Sequence, residues 1–246
     1  MDRFVYIAVS GAKQAQHALT VNNHNLANVN TPGFRQALAF AYSEPVSGPV
    51  FGSRTYVQVA NESVDYSKGT LQYTGNEWDL AIKGDGFFVV QTPEGEEAYT
   101  RAGNFTLDQN GVLRTAQGLE VLGTSGPIIV PPAESVVIGV DGTITIRPLG
   151  SNPNALATLD RLRLVNPETK NMVRRPDGLF GIKAGAAAPV DPNVRVFSGM
   201  VETSNVNTVE ALTRMIELTR HYETQVKMMS TASEIDRQAN KLLAIG

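Results

Sequence analysis

The sequence predicts an α+β protein in which long N- and C-terminal helices pair as a coiled-coil-like layer and flank a central all-β domain of sandwich or barrel type. Three observations carry that expectation. Both ends of the chain repeat apolar residues at three- and four-residue spacing, the helical period. The middle breaks into short β-branched and aromatic runs. The 22 Gly and 13 Pro fall mostly in that middle, where they mark turns. With 246 residues and 42% hydrophobic composition the chain is long enough and apolar enough to bury a core. The expected organisation is an N-terminal helix over residues 1–33, an extended connector over 34–68, a β-rich domain over 69–203 and a C-terminal helix over 204–246.

The first helical segment runs from Asp2 to Asn30 and stops at Thr31-Pro32-Gly33, because the residue before a proline is pushed out of helical geometry. Its stripe is Val5, Ala8, Ala12, Ala15, Leu19, Asn22, Leu26 and Val29, a heptad seam with one polar interruption at Asn22. The small residues allow close helix approach, and Asn22 is expected to set register. The polar positions are mostly amides, Asn28 among them, rather than the Lys and Glu of a solvated helix, which marks that face for burial against neighbours. A seam at each end of a β-rich chain has little of its own molecule to pack on, so the pattern predicts assembly. From Phe34 to Tyr66, Pro45, Gly48, Pro49 and Gly52 break short apolar pieces.

Strands are expected from Thr70 through Phe197 and Gly199 to Glu202, with Leu80 to Lys83, Phe87 to Thr92, Phe105 to Leu107, Thr143 to Arg147 and Phe180 to Ile182 the clearest. Gly84-Asp85-Gly86, Pro93-Glu94-Gly95, Asp108-Gln109-Asn110-Gly111 and Asp141-Gly142 supply the turns. The last helix follows Ser204-Asn205-Val206-Asn207, where Asn207 and Glu210 have the form of a capping box. Its stripe, Leu212, Met215, Thr219, Tyr222, Val226 and Met229, continues one step round the helix through Ala232, Ile235, Ala239 and Leu242, a drift that suits contact on more than one side.

Composition and motif exclude several functions. Net charge is −3 with both signs interspersed, which leaves no basic stripe for a nucleic acid. No apolar run approaches the roughly 18 residues that span a bilayer, and Phe4 to Val9 is too short for a cleavable signal, so neither membrane insertion nor a cleaved leader is expected. Without cysteine there is no disulfide, thiolate site or cysteine nucleophile. Asp108-Gln109-Asn110-Gly111 lacks the late Glu of a calcium loop and reads as a hairpin turn. Gly84-Asp85-Gly86 lacks the third glycine and the helix of a dinucleotide fingerprint, and Gly123-Thr124-Ser125-Gly126 has the wrong spacing for a nucleophile elbow. His17, His24 and His221 have no carboxylate cluster nearby in sequence and are not read as metal ligands. No catalytic, cofactor or metal site is expected. Trp78 is open between a core anchor and an intersubunit contact.

The run Asn25-Leu26-Ala27-Asn28-Val29-Asn30-Thr31-Pro32-Gly33-Phe34 resembles the signature of bacterial flagellar rod and hook proteins, at the position where that family carries it. Gly69-Thr70-Leu71-Gln72-Tyr73-Thr74-Gly75-Asn76, Tyr99-Thr100-Arg101-Ala102-Gly103-Asn104-Phe105 and Ser204-Asn205-Val206-Asn207-Thr208-Val209-Glu210 are similar to its later motifs, so the likeness covers nearly the whole chain. Chain length, the segment from Asp160 to Pro167 and the segment from His221 to Met229 resemble proximal rod members most, with distal rod members next. The resemblance implies a structural, non-enzymatic subunit of the periplasmic part of the flagellar basal body. Its partners are other rod proteins, copies of itself and the flagellar type III export apparatus, and its export needs no cleaved signal.

Under that resemblance the interface residues are Val5, Ala8, Ala12, Ala15, Leu19, Asn22, Leu26, Asn28 and Val29 at one end and Leu212, Met215, Tyr222, Val226, Met229, Ile235 and Leu242 at the other, while Thr31, Pro32, Gly33 and Phe34 redirect the chain. A rival of another class is a secreted β-domain enzyme or carbohydrate-binding module with helical oligomerisation ends, which requires a pocket with convergent polar or titratable groups.

Overall fold

A computed structural model describes residues 2–45, 55–60, 63–150, 156–183 and 187–243. Side-chain surroundings are described from Val5 onward, Ala239, Leu242 and Leu243 excepted, so the interface role expected of Leu242 lies outside the described side chains. Gly48, Pro49 and Gly52, read as breakers, also lie outside the described residues. The chain divides into two compact units, one of residues 1–29, 36–65 and 206–246 and the other of residues 30–35 and 66–205.

The first unit holds α1 (Asp2–Ala27), β1 (Ala37–Leu38), β2 (Ala41–Pro45), β3 (Thr55–Val59), β4 (Ser63–Val64) and α2 (Thr208–Leu243). α1 ends three residues before Asn30. Asn28 leaves the helix and turns its side-chain amide back to donate to the His24 carbonyl at 2.9 Å, closing an orphan acceptor of the last turn. At the start of α2 the Asn207 side-chain oxygen accepts from the Val209 and Glu210 amides at 3.0 and 3.3 Å, the N-cap that the sequence implied.

The segment expected to be an extended connector instead contributes two short antiparallel ladders. β1 pairs β4 with Ala37 opposite Val64, and β2 pairs β3 with Ala41 opposite Val59. β3 packs along α1. The strands escaped the sequence reading because β2 is exposed along its whole length and shows no buried alternation.

Among the described residues the second unit is all-β apart from one short 3₁₀ turn. It contains β5 (Leu71–Tyr73), β6 (Leu80–Lys83), β7 (Phe87–Gln91), β8 (Glu97–Thr100), β9 (Phe105–Leu107), β10 (Leu113–Thr115) and β11 (Glu120–Val121). There follow β12 (Ala133–Ile138), β13 (Thr143–Pro148), β14 (Ala157–Arg161), β15 (Leu164–Val165), β16 (Met172–Arg174), β17 (Phe180–Ile182), β18 (Arg195–Ser198) and β19 (Met200–Glu202). The largest sheet has the order β16-β17-β8-β7-β11-β10-β9 with β15 also on β7, and a second has the order β12-β13-β14. Two antiparallel pairs, β5 with β19 and β6 with β18, join the first and last strands of the unit.

The β core is filled by Leu80, Phe88, Phe105, Leu113, Ile144 and Leu162, each at most 1% exposed. Phe88 and Phe105 meet edge to face with ring centroids 5.1 Å apart. Trp78 lies partly buried against this cluster. Asp108-Gln109-Asn110-Gly111 forms the β9–β10 hairpin: Asp108 Oδ1 accepts from the Asn110 and Val112 amides at 2.8 and 2.9 Å, and Gly111 takes φ +78°. Gly84-Asp85-Gly86 does not close a hairpin, because β6 pairs β18 while β7 pairs β8, β11 and β15.

Candidate assembly interface and buried ion cluster

α1 and α2 pack against each other antiparallel within one chain, so the seam at the N-terminal end does find a partner in its own molecule. The residues buried on α1 are Ala8, Gly11, Ala12, Ala15, Ala18, Val21, Asn22 and Asn25. Of the expected stripe, Ala8, Ala12, Ala15 and Asn22 are therefore buried, whereas Val5, Leu19, Leu26 and Val29 are partly exposed at its margins. The displacement has a steric cause. Two helix backbones approach closely only where side chains are small, so Ala and Gly take the centre and the larger Leu and Val are forced to the rim. At Gly11 an added Cβ meets Gln225 Cδ at 2.9 Å, which shows how little space remains.

α2 presents Ala211 and Ala232, both buried, with Met215, Leu218, Gln225 and Met229 half-buried on the same face at three- and four-residue spacing. Of the expected stripe, Met215 and Met229 are half-buried on this face and Tyr222 shares their phase, seven residues from each, while Leu212, Tyr222, Val226 and Ile235 are 42%, 39%, 40% and 45% exposed. Val209 and Ile216 join Leu212 on this uncovered side.

Two buried amides fix the geometry of this unit. Asn22 Nδ2 donates to the Ala211 carbonyl at 2.9 Å, which pins α1 to the first turn of α2. Asn25 acts as a strand substitute, its Nδ2 donating to the Ala37 carbonyl and its Oδ1 accepting from the Ala37 amide, both at 2.8 Å. The sequence singled out Asn22 but not this role for Asn25.

In the β unit, the expected redirecting turn closes with the Phe34 amide donating to the Thr31 carbonyl at 3.2 Å. Gly33 sits at φ +69°, and an added Cβ would stand 2.3 Å from the Ala102 nitrogen. Only glycine fits both the conformation and the approach. The Gly33 amide donates to the Glu202 carbonyl at 2.7 Å. Phe34 is buried, with the Arg174 guanidinium 4.7 Å over its ring.

Next to this turn lies a cluster that sequence reasoning missed. Arg35, Arg101 and Glu202 are 1%, 3% and 2% exposed. Arg35 Nη2 meets Glu202 Oε1 at 2.6 Å and Arg101 Nη1 meets Glu202 Oε2 at 3.5 Å, while the Gly69 amide donates to Glu202 Oε1 at 2.9 Å. Arg101 also donates to the Ile82 and Gly84 carbonyls and stacks over Phe87. Burial pushes the Arg101 guanidinium down to about 10, Glu202 pulling it back up and Arg35 adding to the depression, so it stays charged at neutral pH. Each partner borders a segment that carries the family resemblance: Arg35 follows Phe34, Arg101 lies within the run from Tyr99 to Phe105, and Glu202 stands two residues before Ser204. That adjacency was the available signal. It was masked because Arg and Glu default to solvent.

Among the described residues no three of His, Cys, Asp and Glu come together in a metal-binding arrangement, and no helix is long and apolar enough to cross a membrane.

The comparisons agree with this construction along the chain. Residues 5–35 match the family described as flagella basal body rod protein, residues 81–146 the flagellar hook protein FlgE/F/G D1 domain, and residues 198–242 the flagellar basal body rod FlgEFG protein C-terminal family. The flagellar basal-body rod protein FlgF of Salmonella typhimurium is 40% identical over 251 aligned positions, covering 100% of both chains. Its namesake in Escherichia coli is 38% identical over 251, again with 100% of both covered. The flagellar basal-body rod protein FlgG of Bacillus subtilis is 32% identical over 257, covering 96% of this chain and 97% of that one. The chain therefore belongs to the flagellar basal-body rod protein family, a family of structural rather than enzymatic proteins.

Proposed function

We propose that this chain is a subunit of the proximal part of the flagellar rod, that it transmits torque from motor to hook, and that its paired terminal helices form a coiled-coil-like layer enclosing the export channel. The 40% and 38% identity to the proteins named FlgF of Salmonella typhimurium and Escherichia coli, against 32% to the FlgG of Bacillus subtilis, supports the proximal position. Its partners are other rod proteins and further copies of itself, joined by head-to-tail contacts that do not close on themselves. It reaches the periplasm through the type III export apparatus without a cleaved signal.

The observation that carries this reading is the uncovered apolar side of α2, where Val209, Leu212 and Ile216 are 73%, 42% and 52% exposed on a helix already paired along another face. A helix with two apolar faces has use for two neighbours. In this reading Ala8, Ala12, Ala15, Asn22, Met215 and Met229 hold the helix pair, while Val5, Leu19, Leu26 and Val29 with Leu212, Tyr222, Val226 and Ile235 meet adjacent subunits. Thr31, Pro32, Gly33 and Phe34 lead the chain from the helical layer into a β domain of sandwich or barrel type that braces laterally.

The test is Leu212→Asp and Ile216→Asp, made singly. Each is expected to leave the circular dichroism of the purified chain unchanged, because the side chains are exposed, and to remove the protein from isolated basal bodies and abolish swimming. Normal motility of both variants would refute the assignment of this face.

A further inference from the structure

At the β9 end of its largest sheet the β unit carries an open groove of about 630 Å³, within the roughly 300–1,000 Å³ of binding clefts. Its floor is apolar, made by Trp78, Leu107, Ile129 and Val136, of which Leu107 and Ile129 are 37% and 56% exposed. The 76–79 turn builds one wall by capping the edge of β9, where the Phe105 amide donates to the Trp78 carbonyl at 3.4 Å and Asp79 bridges Asn104. Among the described residues, every charged side chain on the lining is acidic: Glu77, Asp108 and Glu134. Arg114 and the hairpin amides hold Asp108, and Arg147 meets Glu134 at 3.2 Å. Glu77 is exposed and forms no ion pair among the described residues.

The other end of the same sheet has the opposite charge. β16 closes the strand order there, with Val173 38% exposed. Lys170 and Lys183 flank it, both exposed, the Lys183 amide donating to the Asn171 carbonyl at 2.9 Å and its Nζ to the Lys170 carbonyl at 3.1 Å. Neither ammonium has a carboxylate within ion-pair distance among the described residues, since Arg175 takes Glu96 and Asp177, and Glu168 accepts from Asn171. Lysines at a sheet edge discourage an identical edge from pairing with it. Two acidic grooves likewise repel each other, so what each end attracts is the other.

We propose that the edge formed by Lys170, Val173 and Lys183 in one copy of this chain docks into the Trp78 groove of the next, with Val173 on the apolar floor and a lysine ammonium beside Glu77 and the Trp78 ring. The contact joins two different patches, so it runs head to tail and cannot close as a two-fold dimer. It rests on the reading of this chain as a self-associating rod subunit, and it gives the lateral bracing of the β domain two named surfaces. Trp78 then serves both the core and the contact, packing on the buried cluster while it lines the groove.

The chain has no cysteine, so engineered thiols report the contact without background. Gln109→Cys on the groove rim and Val173→Cys on the edge both replace exposed side chains. Oxidised at rising concentration, the full-length chain carrying both substitutions is expected to give a ladder of covalent oligomers. A mixture of the two single variants gives only a dimer, and either alone gives almost none. Adding Glu77→Lys to the double variant lowers the ladder yield about tenfold. Adding Lys170→Glu and Lys183→Glu as well restores it, a rescue that a misfolded chain would not show. The ladder persists in Leu212→Asp, whose motility separately tests the uncovered side of α2, so either reading can fail without the other. A ladder that is absent, that forms equally from one single variant, that ignores Glu77→Lys or that is lost in Leu212→Asp overturns the proposal.

Discussion

Replacing Glu202 by alanine removes the one carboxylate between two guanidiniums that are 1% and 3% exposed. The side chain accepts from Arg35 at 2.6 Å and from the Gly69 amide at 2.9 Å and forms an ion pair with Arg101 at 3.5 Å, so its loss strands two buried charges and one backbone amide. Breaking a buried ion pair from one side costs about 3–5 kcal/mol. For a chain of this size each kcal/mol lowers the melting temperature by about 2–4 °C, so the expected fall is roughly 6–20 °C. Glu202→Gln keeps an acceptor for Arg35 and Gly69 but loses the charge, and should fall between the alanine variant and the wild type. Glu97→Gln breaks a pair with Arg163 at 2.6 Å whose side chains are 28% and 24% exposed, and should lose no more than about 1 kcal/mol. The single Trp78 packs against the β core, so its fluorescence during heating reads this unit directly. A Glu202→Ala transition within about 2 °C of the wild type would refute the reasoning, since water would then be compensating the arginines.

Gly11→Leu should separate the helix pair and lower the temperature at which helical circular dichroism is lost, while Gly11→Ala should be neutral or stabilising, because Gln225 can swing away from one methyl and alanine favours the helix by about 1 kcal/mol. Asn25→Ala leaves the Ala37 amide and carbonyl without their partner, which costs roughly 2–4 kcal/mol and should appear as faster hydrogen exchange at Ala37. The Asp108 carboxyl is held below its usual range by Arg114 and the Val112 amide, and the Asp141 carboxyl by the Thr143 hydroxyl and amide. A depressed folded-state pKa contributes stability above the unfolded value, so both turns should remain intact above pH about 4 and loosen as pH falls through the lowered values, as read by NMR at the Val112 and Thr143 amides.

Much of the secondary structure was legible because it rests on local chemistry. Strands 80–83, 105–107 and 180–182 agree between sequence and structure to the residue, since β-branched and aromatic residues there are bounded by Gly, Asn and Asp that only turns accommodate. Asn207 announced the start of α2 by the same logic, its side chain serving amides two and three residues on. The ladders within 37–64 were not legible, because their pairing is a matter of register between strands well separated in sequence and their side chains are mostly exposed.

The sequence by itself determined that both ends of the chain are helical, that α2 starts after Asn207, which turns demand glycine, and to which family the motifs point. Only the tertiary structure decided which face of each helix is spent inside the chain. Hydrophobicity favours the large residues Leu19, Leu26, Leu212 and Val226, but close backbone approach selects Ala8, Gly11, Ala15 and Ala211, and that steric choice exists only once two helices meet. The same holds for Arg35, Arg101 and Glu202. Each reads as a solvated charge in one dimension, and it is the convergence of strand ends far apart in sequence that removes their water and makes them pair.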